Sequence, residues 1–138
     1  MKKKGQYIDH GHYIVYNNLK SKNSRRVLLL EIKSIQGLSI EIWDIDFDHA
    51  LEGHPEVTLD RIIDTLKDPM LVIKSKKSNL SCLFYKLEMS DHPVFGKIYF
   101  CVVVMALGKG RGKMETAYET TFIKTGEVIF SRNNDKKR

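Results

Sequence analysis

The sequence predicts an α+β protein: one amphipathic helix packed on a four- to five-stranded antiparallel sheet, with an N-terminal β-rich extension. Three observations carry that expectation. Leu59, Ile62, Ile63 and Leu66 recur at i, i+3, i+4 and i+7, which makes one apolar helical stripe. From Met70 onward the apolar segments are short, rich in β-formers and separated by turn residues, so consecutive strands should be antiparallel neighbours. Lys97 to Leu107 is apolar at odd and even positions alike, as expected of a central strand covered on both faces.

Taken in order, Tyr7 to Tyr16 and Arg26 to Lys33 are β-rich, with turn chemistry at Asn17-Asn18 and Ser21 to Ser24. After the Gln36-Gly37 break, Leu38 to Ile45 alternates apolar and polar at period two, the pattern of a half-buried strand. Asp46 to Gly53 is short and acidic and reads as one irregular helical turn. Pro55 suits a first helical position, and Asp68-Pro69 ends the helix because a residue before proline is pushed out of the α region. Strands follow at Met70 to Lys74, Ser81 to Met89, Lys97 to Leu107, Lys113 to Ile123 and Glu127 to Ser131, read as an antiparallel meander. In Ser81 to Met89, Leu83, Tyr85 and Leu87 share one face, and Phe84, Lys86 and Glu88 share the other. The expected division is residues 1–45 as the extension, 46–132 as the main domain and 133–138 as a basic tail.

Length and composition (138 residues, 42% hydrophobic, 29% charged) fit one folded domain and argue against wholesale disorder. No segment supplies the roughly 18 consecutive apolar residues of a membrane helix. The basic Met1 to Gln6 is not followed by an apolar signal core, so a cytoplasmic setting is expected. Cys82 and Cys101 lack metal-ligand spacing and read as structural thiols. The net charge of +6 is matched by Lys2, Lys3, Lys4, Lys136, Lys137 and Arg138 at the two ends. The interior is polarised instead. Residues 36–68 hold nine acidic side chains against Arg61 and Lys67, whereas residues 70–113 hold eight basic ones against Glu88 and Asp91. One part of the surface should attract phosphate and another repel it.

Three groups of residues could carry chemistry. His49, Glu52, His54 and Glu56 crowd the approach to the helix, where histidine can act as acid or base and a helix N-terminus suits an anion. The plainer reading has His54 capping the helix and His49 packing beneath it. A metal-dependent hydrolase built on His49, Glu52 and His54 is a weaker alternative, since their spacing matches no recognised ligand pattern. Thr116, Tyr118 and Thr120 share one face of a strand and could hold a phosphate or ribose, or could simply face solvent. Lys109, Arg111 and Lys113 form a basic hairpin that could grip RNA phosphates or stay solvated. Lys86 is a further cation on a polar strand face.

Two segments, His49 to Ile73 (HALEGHPEVTLDRIIDTLKDPMLVI) and Lys113 to Ile123 (KMETAYETTFI), resemble the phage-associated barnase-EndoU-colicin-RelE-like nucleases. The resemblance covers roughly residues 47 to 131 and leaves the N-terminal strands unexplained. It implies a helix followed by a four-stranded antiparallel sheet, and metal-independent RNA cleavage with no cofactor. In that chemistry the ribose 2′-hydroxyl attacks the adjacent phosphate, leaving a cyclic phosphate and a free 5′-hydroxyl. The resemblance assigns His54 as acid/base with His49 as its partner, Lys86 to the phosphate, and Thr116 and Tyr118 to its oxygens. Thr120, Lys109, Arg111 and Lys113 would bind the substrate. RNA is the implied partner, together with an antitoxin or immunity protein, and a toxin or phage effector the implied role. The alternative is a non-catalytic RNA- or protein-binding module of the same fold.

Overall fold

The computed structural model describes residues 6–9, 13–17 and 27–132, the first two stretches by their backbone alone. The terminal basic runs and the turn at 21–24 lie outside the described residues. The strands are β1 (Gln6–Asp9), β2 (Tyr13–Asn17), β3 (Leu28–Lys33), β4 (Ser39–Trp43), β5 (Leu71–Lys74), β6 (Ser81–His92), β7 (Gly96–Gly108), β8 (Arg111–Thr120) and β9 (Val128–Ser131). Two helices, α1 (Asp44–Gly53) and α2 (Leu59–Lys67), fall between β4 and β5. All the strands belong to one mixed sheet in the order β1-β2-β3-β4-β8-β7-β6-β5-β9.

This corrects the expected one helix on a four- to five-stranded antiparallel sheet. The β5 to β8 meander is present, but three features enlarge it. Strand β4 pairs parallel to β8 through Ser39↔Arg111, Ile40↔Gly112 and Glu41↔Lys113, which brings β3 and β4 into the same sheet. Their Leu30, Ile32, Ile40 and Ile42 are buried in the same core as Phe84, Phe100 and Val102, so they are not an appended extension. Strand β9 does not pair with β8 either; it crosses to the far side of β5. The third difference is α1, which runs for 10 residues where a single irregular turn was expected. It buries only Ala50, with Phe47 partly covered, so it shows no apolar stripe to find. Asp44 and Asp46 in its first turn complement the helix dipole, and the Asp44 carboxylate accepts from Val27 N at 2.8 Å.

Helix α2 matches its stripe: Ile62, Ile63 and Leu66 are buried against the sheet, and the helix closes at Asp68 before Pro69. Its start differs from the expectation. Thr58 is the N-cap, and its hydroxyl accepts from Arg61 N at 3.1 Å, while Pro55-Glu56 form a turn in which Val57 N donates to His54 O at 3.0 Å. Proline's fixed φ suits a turn as well as a helix start, and threonine supplies the capping oxygen that proline lacks. Among the described residues, no helix is long and apolar enough to cross a membrane.

Both sheet faces are covered. On one, α2 and part of α1 bury Val72, Phe84, Phe100, Val102, Val104 and Met114. On the other, Ile73, Leu83, Tyr85 and Cys101 form a second cluster with Tyr99, Val103, Tyr118 and Ile123. Ile123 comes from residues 121–127, the segment that carries the chain from β8 to β9. This strap is held by Lys124 N donating to the Tyr85 hydroxyl at 3.1 Å and by Lys74 N donating to Glu127 O at 2.8 Å. Gly126 allows that closeness, because a Cβ there would run into the Lys74 carbonyl. Gly126→Ala should therefore lower stability by about 1–3 kcal/mol, as overpacking does. Gly53→Ala, whose Cβ would meet nothing within 4 Å, should be near neutral. Urea denaturation of the two variants checks the contrast.

Candidate functional site

Strand β8 is where the predicted site residues gather. Its register against β7 slips between Val103↔Thr116 and Val104↔Met114, leaving Glu115 as the extra residue of a β-bulge. Met114 and Ala117 are buried under the helices, so Glu115, Thr116 and Tyr118 all reach the opposite face. There they form one wall of a cleft of about 660 Å³. Lys76 and Lys77 of the β5–β6 turn and Lys124 and Thr125 of the strap complete its rim, over a floor containing Leu83 and Val103. Three cations, one carboxylate and several hydroxyls thus face a single hollow.

The tyrosines beneath it stay neutral. Burial pushes the Tyr118 hydroxyl well above the usual tyrosine range, and its neighbours Cys101 and Tyr85 push it further. Burial likewise raises Cys101 to about 11, only partly offset by hydrogen bonds with the Tyr118 and Tyr85 hydroxyls. Tyr85 is raised to about 12, chiefly by burial. Of the three, Tyr118 alone lines the cleft, while Tyr85 and Cys101 are fully buried, and the thiol offers no thiolate nucleophile near neutral pH.

His54 reaches the same strand from the side. It is the C-cap of α1, not the cap of α2, and its ring centroid lies 5.5 Å from that of Tyr118. Its Nδ1 is 3.5 Å from Glu56 Oε2, and the same oxygen accepts from Glu119 N at 3.1 Å. Burial works against the Glu56 charge. Hydrogen bonds from the backbone N–H groups of Glu56 and Glu119, and the charges of His54 and Arg61, outweigh it and hold the carboxyl below its usual range. Behind this pair, Arg61 Nη2 meets Glu119 at 2.9 Å and Glu88 at 3.6 Å, and its guanidinium lies 4.5 Å from the Phe100 ring centroid. The carboxylates around Arg61 leave it little capacity for a phosphate. Sequence reading passed over Glu56, Arg61 and Glu119 as a group. The available signal was Arg61 standing between Val57 and Thr65 at helical spacing, on the edge of a buried stripe.

The remaining candidates are elsewhere or engaged. Lys86 points to the helical face, where its Nζ contacts Asp68 O at 3.0 Å, Asp68 Oδ2 at 3.3 Å and Asp64 Oδ2 at 3.4 Å. It therefore clamps the end of α2, across the sheet from Thr116 and Tyr118. His49 is exposed on α1, and among the described residues no hydrogen bond, ion pair or ring contact joins it to His54. The Thr120 hydroxyl is used at the strand end, accepting from Phe122 N at 3.4 Å. Lys109 and Gly110 both have positive φ (56 and 76), forming a tight two-residue hairpin with Lys109 at its tip. Arg111 binds Glu41 at 2.8 Å and Lys113 binds Asp46 at 3.1 Å, so these cations fasten β8 to β4 and α1. Among the described residues, no cluster of three or more His, Cys, Asp and Glu could hold a metal, His49, Glu52 and His54 included.

No protein-family model, curated protein or solved structure matches the chain, so the site stands on its own geometry.

The Arg111–Glu41 pair yields a pH prediction. Burial raises the Glu41 carboxyl, but hydrogen bonds from Arg111 and Trp43 and the charges of Arg111 and Lys113 outweigh it and leave a net lowering. A group depressed on folding stabilises the protein above its unfolded value and stops doing so as pH falls through its folded one. Glu41→Gln should thus be less stable than the parent at pH 7, with the gap closing as pH drops below the ordinary 4.5. Thermal melts across pH measure that gap.

Proposed function

We propose that this protein binds single-stranded RNA in the cleft between β8, the β5–β6 turn and the strap. The observation that carries the reading is the meeting of Lys76, Lys77 and Lys124 with Thr116, Thr125 and Tyr118 around one hollow. Lysines neutralise phosphates, and hydroxyls bond phosphate or ribose oxygens. A tyrosine ring offers a surface for a base. The volume, about 660 Å³, suits one or two nucleotides and excludes a duplex. The helical face carries Asp46, Asp48, Glu52, Asp60 and Asp64, which repel a polyanion and leave the cleft face as the favoured approach.

A second reading, RNA cleavage, is favoured by one specific observation: the His54–Glu56 pair beside Tyr118. A histidine held by a carboxylate can take a proton from a ribose 2′-hydroxyl as its oxygen bonds to phosphorus and return it to the 5′-oxygen that leaves, while Tyr118 and Lys124 stabilise the charge that builds on the phosphate. This assigns the phosphate to Lys124 in place of Lys86. It also agrees with the nuclease resemblance, from which the choice of RNA over DNA comes.

Fluorescence anisotropy with a short single-stranded RNA tests binding. The logarithm of affinity should fall linearly with that of salt concentration, with a slope smaller by about 0.7 in Lys76→Ala and in Lys124→Ala. Lack of binding, or parental slopes in both variants, would contradict the proposal. Products ending in 2′,3′-cyclic phosphate, formed in EDTA by the parent but not by His54→Ala, would establish cleavage; binding without products leaves a non-catalytic RNA-binding protein.

A further inference from the structure

Glu115 is the one feature of the cleft that RNA binding as such does not explain. A carboxylate facing a phosphate-binding hollow repels the ligand's backbone, and the surrounding lysines would bind more strongly without it. The structure nonetheless spends a β-bulge on placing it there. At the bulge, Glu115 and Thr116 are adjacent in sequence yet line the same cleft, which regular alternation along a strand forbids. The carboxylate is also fixed: Ser81, 5% exposed, donates its hydroxyl to Glu115 Oε1 at 3.1 Å. One oxygen is thus held from β6, across the intervening β7, and the other is left to meet a ligand.

An ionised carboxylate accepts hydrogen bonds and donates none. The bases that can satisfy it are those with amino groups on an exposed edge: cytosine through N4, adenine through N6 and guanine through N2. Uracil offers no amino group, and the carbonyl oxygens flanking its single N–H would face the carboxylate with like partial charge. Such an acceptor site both rewards the right base and repels the wrong one, which is how discrimination is built. Tyr118, three residues farther along the same strand, is placed to stack the base while Lys76, Lys77 and Lys124 hold the phosphates.

We infer that Glu115 is a specificity-determining residue that makes the cleft select amino-bearing bases over uracil, an inference that rests on the RNA-binding reading. The test compares a short oligouridylate with the same oligomer carrying one central cytidine, by anisotropy at fixed salt. For the parent protein the cytidine should raise affinity about tenfold, the size of one good base contact. In Glu115→Gln the preference should collapse to about twofold or less, because a glutamine amide can donate to uracil as well as accept. Binding of the all-uridine oligomer should strengthen at the same time, since a negative charge has left the cleft. Ser81→Ala should lower the preference without altering net charge, which separates positioning of the carboxylate from electrostatics.

An equal preference in parent and Glu115→Gln, or none in the parent, would overturn the inference while leaving RNA binding in place. Failure of both oligomers to bind the folded parent would instead remove the RNA-binding reading and this inference with it. Urea denaturation of Glu115→Gln establishes that the variant compared is folded.

Discussion

Strand β7 buries side chains on both of its faces, and the rest of the molecule answers that constraint. Phe100, Val102 and Val104 point to one side and Cys101 and Val103 to the other, so neither face can be left to water. Fully burying side chains of this size contributes about 1.5–3 kcal/mol each. The helices cover the first face. With no third helix among the described residues, the second is covered by the strap of residues 121–127, which carries Ile123 down onto Tyr85 and Cys101. The return of β9 to the outer side of β5 follows from that crossing.

The cleft is a consequence of this covering. A seven-residue strap cannot cover a sheet face as a helix layer does, so a hollow remains between it, the β5–β6 turn and β8. The polar side chains around the hollow are lysines and hydroxyls with the single carboxylate of Glu115, whereas the helices on the far face are acidic. Charge and shape are therefore divided by the sheet itself. Ion pairs at β8 and β6 keep the division in place, with Arg111 and Lys113 of β8 turned toward Glu41 and Asp46 and Lys86 of β6 retained at the end of α2.

Much of the fold was legible where the signal was local. The stripe of α2, the alternation in β4 and β6 and the unbroken apolar run of β7 appear in the sequence because each element's own surroundings dictate which sides are buried. The parallel pairing of β4 with β8 and the return of β9 to β5 were not legible, since they join segments far apart in the chain and leave no periodic trace. Helix α1 was foreshortened because a helix at the sheet's side buries little beyond Ala50. In the site, Thr116 and Tyr118 were found from their shared strand face, as alternation gives it, whereas Glu115 was missed because only the bulge turns it to the same side. Lys124 was missed because only the strap's crossing brings it to β8, and Lys86 was misjudged because its partners, Asp64 and Asp68, lie on another element.

The central claim is that the strap-side cleft, and not the helical face, is where ligand meets protein. Amide NMR shifts recorded during titration with a short single-stranded RNA test it directly. The account predicts perturbations concentrated at Glu115 to Tyr118, at Lys76 and Lys77, and at Lys124 and Thr125, with α2 unaffected. Perturbations centred on α1 and α2, or none under conditions where the protein is folded, would contradict it.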